Sequence, residues 1–206
     1  MLKNFQILVA AFALLMTAAS CGGETIVFTC MPVNNVIEFR VTAKSLIVDW
    51  GDGATEVYDN LDVSTVSHAC TGEEKRTVRI LRAEGLSFFH CTGQRLTALD
   101  VSGCPTLTML DCSLNLLSSL DVSGNRALTK LSCGWNRLSS LNVSGNRALT
   151  GLACFDNLLS AAALDGIFAL LPDLSGTDEG RIYIGSNPGS DDCVRSVAEN
   201  KNWVVN

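Results

Sequence analysis

Nine cysteines and two histidines are the residues of this chain best suited to chemistry, and their spacing decides how far that chemistry extends. Cys91, Cys112, Cys133 and Cys154 stand 21 residues apart. A tetrahedral thiolate site gathers its ligands around one point, so a column of this period supplies no zinc cage. In a chain that coils once every 21 residues the sulfurs instead form a line, with neighbours about 4.8 Å apart. Small apolar thiols in such a line fill interior space and stay unreactive. His68 and His90 leave little for an imidazole-based triad, and G-x-S-x-G, H-E-x-x-H and a phosphate loop are all missing. The expectation is a protein with no catalytic set, no metal and no cofactor. Asp49 and Asp52, in DWGDG, offer carboxylates for calcium, but aspartates of a glycine hairpin more simply bond their own backbone.

The remaining cysteines divide by position. Cys30 and Cys70 lie in one β-rich segment and are candidates for a disulfide, while Cys104 and Cys193 have no evident partner. Pairing among these four stays open. Cys21 is different, because Lys3 and the apolar run from Phe5 to Ala19 lead straight into Ala18-Ala19-Ser20-Cys21-Gly22. A short positive start followed by about 15 apolar residues is the profile of an export signal, too short for a spanning helix. The AASCG ending resembles the lipobox of bacterial lipoproteins, which implies lipidation of Cys21 and a lipid-held protein on a membrane. Ordinary cleavage near Ala19 or Ser20, with free secretion, is the competing reading. An excess of acids (21 Asp+Glu against 15 Lys+Arg) excludes a nucleic-acid footprint.

The elements that position the cysteine column come from a repeat. From Leu86 the chain reads LSFFHCTGQRLTALDVSGCPT, then LTMLDCSLNLLSSLDVSGNRA, LTKLSCGWNRLSSLNVSGNRA and LTGLACFDNLLS, with no insertion. Leu99, Leu120 and Leu141 share a column, as do Gln94, Asn115, Asn136 and Asn157. Alternate residues of a short strand point into each coil, and stacked coils share one Leu/Val core. The Asn column falls where the chain bends, where an amide can pair backbone groups that the bend leaves inside. Cys104 takes the place of Asn125 and Asn146 in the other half of the unit.

The unit L-x-x-L-x-C-x-x-N-x-L, alternating with LDVSGN, is similar to the leucine-rich repeat, and residues 86–159 resemble leucine-rich repeat surface lipoproteins of Bacteroidetes-type bacteria. The tail carries the likeness further, with SAAALDGIFALLP, RIYIGSNPG and SDDCVRSVAENKNWVV, and the IVDWGDG segment resembles PKD-like immunoglobulin-type domains. The resemblance implies architecture and location at an outer membrane or cell surface. It brings little activity with it.

The flanks read as caps. The runs IVFTC, VIEFRV, LIVDW, EVY, TVSHAC and TVRILR predict a small antiparallel sandwich over 26–84, separated by turn residues. Ser160 is a candidate N-cap for a helix to about Leu171, with Ala163, Leu164, Ile167, Phe168 and Leu171 on one face. A strand over Arg181–Ile184 and a second helix over Ser190–Lys201 follow. The expected fold class is α+β: a short leucine-rich repeat solenoid of about four 21-residue turns (85–159), flanked by the β-sandwich-like domain and a C-terminal α/β cap (160–206). A leader (1–20) and a tether (21–25) precede them.

Between the monotonous inward columns lie variable ones. These are Phe88, Met109, Lys130 and Gly151; His90, Asp111, Ser132 and Ala153; Thr92, Ser113, Gly134 and Phe155; and Gly93, Leu114, Trp135 and Asp156. His90 and Asp111 align one repeat apart and suit a modest surface pair. Phe88, His90, Met109, Asp111, Leu114, Lys130, Trp135, Phe155 and Asp156 are the candidate binding face, because large apolar groups where solvent is expected mark contact surfaces. The expected function is non-catalytic binding of a protein or glycan through the concave face. A structural envelope component with the repeats as a spacer is the alternative.

Overall fold

The computed structural model describes residues 24–206; the leader and the lipidation candidate Cys21 lie outside the described residues. The fold is mostly β-sheet with few helices. One hydrogen-bonded path joins the strands of the N-terminal segment, the repeats and the C-terminal segment.

Four long strands open the chain: β1 Glu24–Cys30, β2 Val36–Asp49, β3 Thr55–Ala69 and β4 Arg76–Glu84. Two pairs of expected runs are fused here. VIEFRV and LIVDW join as β2 because the alternation continues through Thr42 to Ser45, with Ala43 inward. A register shift at Val41/Ala43 absorbs the change of direction, and opposite it Val63 adopts φ 44° and donates its N–H to Thr42 Oγ1. Short strands follow at the coil spacing: β5 Phe88–His90, β7 Met109–Asp111, β8 Lys130–Ser132 and β9 Gly151–Ala153, all parallel. β6 Ala98–Asp100 lies on the other side of the first coil.

The strand path joins the N-terminal strands to the first coil. β2 pairs with β5 at Arg40–Thr42, and β1 pairs with β6 at Val27–Thr29. The N-terminal strands therefore leave the first coil on one side and rejoin it on the other. Phe28, Phe39 and Phe89 fill the space enclosed, with ring centroids 5.4–6.2 Å apart. A core this continuous follows from the end of a repeat array, whose apolar edge needs a cover.

At the other end Ser160 Oγ accepts from the Ala163 N–H and starts α1, Ala161–Leu170, which buries Leu164, Ile167 and Phe168 against the last coil. The strand β10 is Gly180–Tyr183, and β11 Trp203–Val205 runs parallel to it. The second expected helix shrinks to α2, Ser196–Glu199. Residues 190–195 form turns instead, held by Ser190 Oγ on the Ile184 and Asn187 carbonyls and by Asp165 on the Val194 N–H.

Each coil is closed by its asparagine. Asn136 accepts from the Leu117 N–H at 3.0 Å, and its amide donates to the carbonyls of Cys112, Cys133 and Gly134 at 3.0–3.2 Å. Asn115 and Asn157 repeat the pattern one coil earlier and later. At the first coil Gln94 departs from it: its longer side chain turns outward, and its Oε1 accepts from the Glu38 N–H. A second column is equally buried: Asn125 donates to the Val101 and Cys104 carbonyls, and Asn146 to those of Val122 and Asn125. The glycines beside this column are forced by proximity. A Cβ on Gly124 or Gly145 would lie 2.7 Å from the Ser102 or Ser123 carbonyl oxygen.

Candidate functional site

Parallel pairing without a shift stacks the variable residues in rows. Phe88, Met109, Lys130, Gly151 and Arg181 are successive partners, as are His90, Asp111, Ser132, Ala153 and Tyr183. On the N-terminal side the rows continue onto β2, where Thr42 faces Phe88 and Arg40 faces His90. The inward residues between them, Leu110, Leu131 and Leu152, are buried. The two outer residues of each three-residue strand stay at least partly open. Period-two alternation of the strand is thus what aims these side chains outward.

The face has polar and apolar parts. His90 Nδ1 lies 3.3 Å from Asp111 Oδ2, both about 30% exposed, and the His90 ring stacks on Phe88 at 6.2 Å. Towards the C-terminal end the side chains dwindle at Gly151 and Ala153. The result is an open hollow of about 470 Å³, walled by Lys130 and Ser132 on one side and by Arg181 and Tyr183 on the other, with Asp178 and Glu179 at its rim. The Arg181 guanidinium donates to Glu179 at 3.1 Å.

Leu114, Trp135, Phe155 and Asp156 belong to a second row, outside the strands. Leu114, Trp135 and Asp156 occupy left-handed backbone (φ 50–57°) at the bend after each strand. That conformation costs an L-residue roughly 1 kcal/mol and turns the chain sharply enough to bring the next asparagine inside. The bend throws Leu114 and Trp135 outward, half exposed at 50% and 47%. Trp135 meets Phe155 edge-on at 4.4 Å, in the space left by Gly134, whose missing Cβ would fall 2.9 Å from the Phe155 ring. The expected single face is therefore two adjoining rows, one on the strands and one along their exits. Its Thr92/Ser113/Gly134 column contributes little, since Ser113 and Gly134 are covered.

The cysteine column is interior throughout, with Cys91, Cys112, Cys133 and Cys154 at most 1% exposed. Burial pushes the thiols of Cys112 and Cys154 up to about 12, and those of Cys91 and Cys133 well above the ordinary thiol value. Neutral thiols with this access neither ligate nor attack. All eight cysteines among the described residues are free, Cys30 and Cys70 included. Cys104 donates to the Thr25 carbonyl at 3.2 Å, so it joins the first coil to β1. In the DWGDG turn Asp49 accepts from Gly51 N–H and Asp52 Oδ1 from Ala54 N–H, so these oxygens are used by the turn itself.

Three members of the arrangement were not found from sequence. Asn187 continues the asparagine column into the cap, accepting from Leu159 N–H and donating to the Cys154 and Ile184 carbonyls. Arg181 and Tyr183 continue the exposed rows. The signal was present, because I-Y-I-G-S-N at 182–187 matches L-S-C-G-W-N at 131–136 with Ile in both apolar positions. A 30-residue spacing, with α1 inserted, hid the copy.

The ladder of buried thiols can now be set beside known proteins. No family profile and no curated protein matches the chain. Among solved structures it is similar to the functional domain of InlJ from Listeria monocytogenes, which is described as including a cysteine ladder. The two are 26% identical with a TM-score of 0.35, over 56% of this chain and 33% of that one. The chain thus spans about a third of the length of that structure.

Proposed function

We propose that this is an exported, lipid-anchored leucine-rich repeat protein of a Bacteroidetes-type bacterial surface. On this reading its concave strand face binds a protein or glycan and catalyses nothing. The leader and Cys21 supply export and the anchor. No helix among the described residues is long and apolar enough to cross a membrane.

The observation that supports binding is the hollow over Gly151 and Ala153. Small residues leave the floor open there, with Lys130 and Ser132 on one side and Arg181 and Tyr183 on the other. A concavity with a few convergent polar groups is where ligands settle. The half-exposed Trp135, packed edge-on against Phe155, adds an aromatic anchor of the kind that dominates contact energies.

Immobilised full chain probed with arrays of glycans and extracellular proteins tests this. Gly151→Gln fills the hollow without strain, since its Cβ meets only Lys130 Cγ at 3.5 Å. This variant and Trp135→Ala should each weaken a genuine ligand at least about tenfold while unfolding as wild type does. A ligand indifferent to both would refute the site. Loss of membrane association in Cys21→Ser checks the anchor.

A further inference from the structure

The DWGDG turn and the end of β3 bring together a group of side chains that the binding face does not use. Asp52 Oδ2, His68 Nε2 and Cys70 Sγ all lie within 4.8 Å of one another, and the first two are 2.8 Å apart. They come from two places in the chain. Asp52 sits in the turn after β2, whereas His68 lies near the end of β3 and Cys70 immediately follows that strand, two residues on.

We propose that Asp52, His68 and Cys70 form a zinc site with three protein ligands and one open position. Carboxylate, imidazole and thiolate together are a borderline-soft donor set that suits Zn²⁺ better than a hard cation such as calcium. Bond lengths of about 2.0–2.3 Å in a tetrahedron place ligand atoms roughly 3.3–3.7 Å apart. Loading the ion requires Asp52 Oδ2 to withdraw from His68 by a little over half an ångström. Asp52 is on an exposed turn and can move; Cys70 is buried, and its N–H is fixed to the Asn35 carbonyl at 2.7 Å.

The surroundings of His68 are what separate this group from a chance cluster. A zinc-bound histidine commonly donates its other ring N–H to a carboxylate, which selects the tautomer and aims the ring. Here His68 Nδ1 lies 3.4 Å from Glu56 Oε1, and Glu56 is itself held by the Tyr58 hydroxyl. The ring is also clamped flat on Trp50, 4.8 Å away at an interplanar angle of 11°. With Nδ1–H given to Glu56, the Nε2 lone pair is left facing Asp52 and Cys70. One cation shares the space: Arg76 NH1 stands 3.7 Å from Asp52 Oδ2, and its buried Nε has no hydrogen-bond partner. Zinc with two anionic ligands leaves the group, Arg76 included, one charge positive. Ligation by Cys70 as a thiolate requires loss of its proton, so metal uptake releases one.

The test uses the purified full chain, kept reduced and stripped of metal, titrated with Zn²⁺ against a chromophoric chelator and with Co²⁺ by absorbance. The expected result is one ion per chain, a thiolate-to-Co²⁺ charge-transfer band, and release of about one proton per ion. His68→Gln and Cys70→Ser should each abolish the band, and Glu56→Gln should weaken Zn²⁺ binding about 10- to 100-fold while keeping the band. Circular dichroism of each variant separates loss of the site from loss of the fold. If Cys70→Ser does not fold, Glu56→Gln and His68→Gln decide the matter. Absence of stoichiometric uptake, uptake unaffected by these variants, or a Cys30–Cys70 disulfide in the chain as purified would each overturn the proposal.

Discussion

Replacing Asn136 by Ala isolates the contribution of the asparagine column to stability. The side chain is 9% exposed and makes four hydrogen bonds to backbone. Their loss is unequal in effect. The Cys112 carbonyl keeps Asn115, the Cys133 carbonyl keeps Asn157, and Gly134 O still receives the Leu114 N–H. Leu117 N–H loses its acceptor altogether, inside the coil. An orphaned buried donor costs about 1–3 kcal/mol, and the weakened carbonyls add about 0.5–1 kcal/mol more. The expected destabilisation is therefore about 1.5–4 kcal/mol, a large share of the roughly 5–15 kcal/mol typical of a folded domain. Urea unfolding followed by circular dichroism gives the value from the shift in midpoint at constant slope. Gln94→Ala is the internal comparison: Gln94 serves one solvent-accessible N–H on Glu38, so its loss should cost under about 1 kcal/mol. Equal effects of the two substitutions, or a change below about 0.5 kcal/mol for Asn136→Ala, would refute the reasoning.

Alkylation of the native chain at pH 8 should modify Cys193 first, since it alone among the described cysteines is not buried, and leave Cys112 and Cys154 untouched. Burial holds those two thiols up near about 12, so at pH 9 they stay protonated and should remain unmodified, whereas denaturant should make all eight described cysteines react; mass spectrometry reads the count. Glycines should divide by surroundings. Gly166→Ala in α1 meets nothing within 4 Å and should stabilise by about 0.5–1 kcal/mol. Gly145→Ala drives a methyl against the Ser123 carbonyl oxygen and should destabilise by more than about 1 kcal/mol, measured as midpoint shifts in the same assay.

The repeat was readable because its cause is periodic. A 21-residue coil places each Leu, Cys and Asn in the same surroundings, so one chemical requirement is written four times. The helix start at Ser160 was readable for a local reason, a hydroxyl three residues before an N–H that needs an acceptor. What escaped was everything set by contacts distant in the chain. The pairing of β1 with β6 spans about seventy residues, and neither run announces its partner. The fate of residues 190–195 depended on Asp165, on another element, holding the Val194 N–H. Of the exposed rows, Phe88 to Lys130 followed from alternation, but the division between strands and exits depended on φ at Leu114 and Trp135, which a Leu or a Trp gives no reason to expect. The Asp52–His68–Cys70 group was invisible because Asp52 is separated from the histidine by most of a hairpin.

The N-terminal strands hold both sides of the first coil, and they also precede it on the ribosome. A chain that emerges with β1 to β4 already made presents two ready edges, one awaiting β5 and the other awaiting β6. The first coil then has finished structure to close against, and each later strand of the array pairs with the one before it. Starting the array and lengthening it are thus separate events. The first is fixed by one hairpin assembly, and the second proceeds by identical steps. Evolution can add or delete a 21-residue unit, enlarging or shrinking the exposed rows, without renegotiating either end.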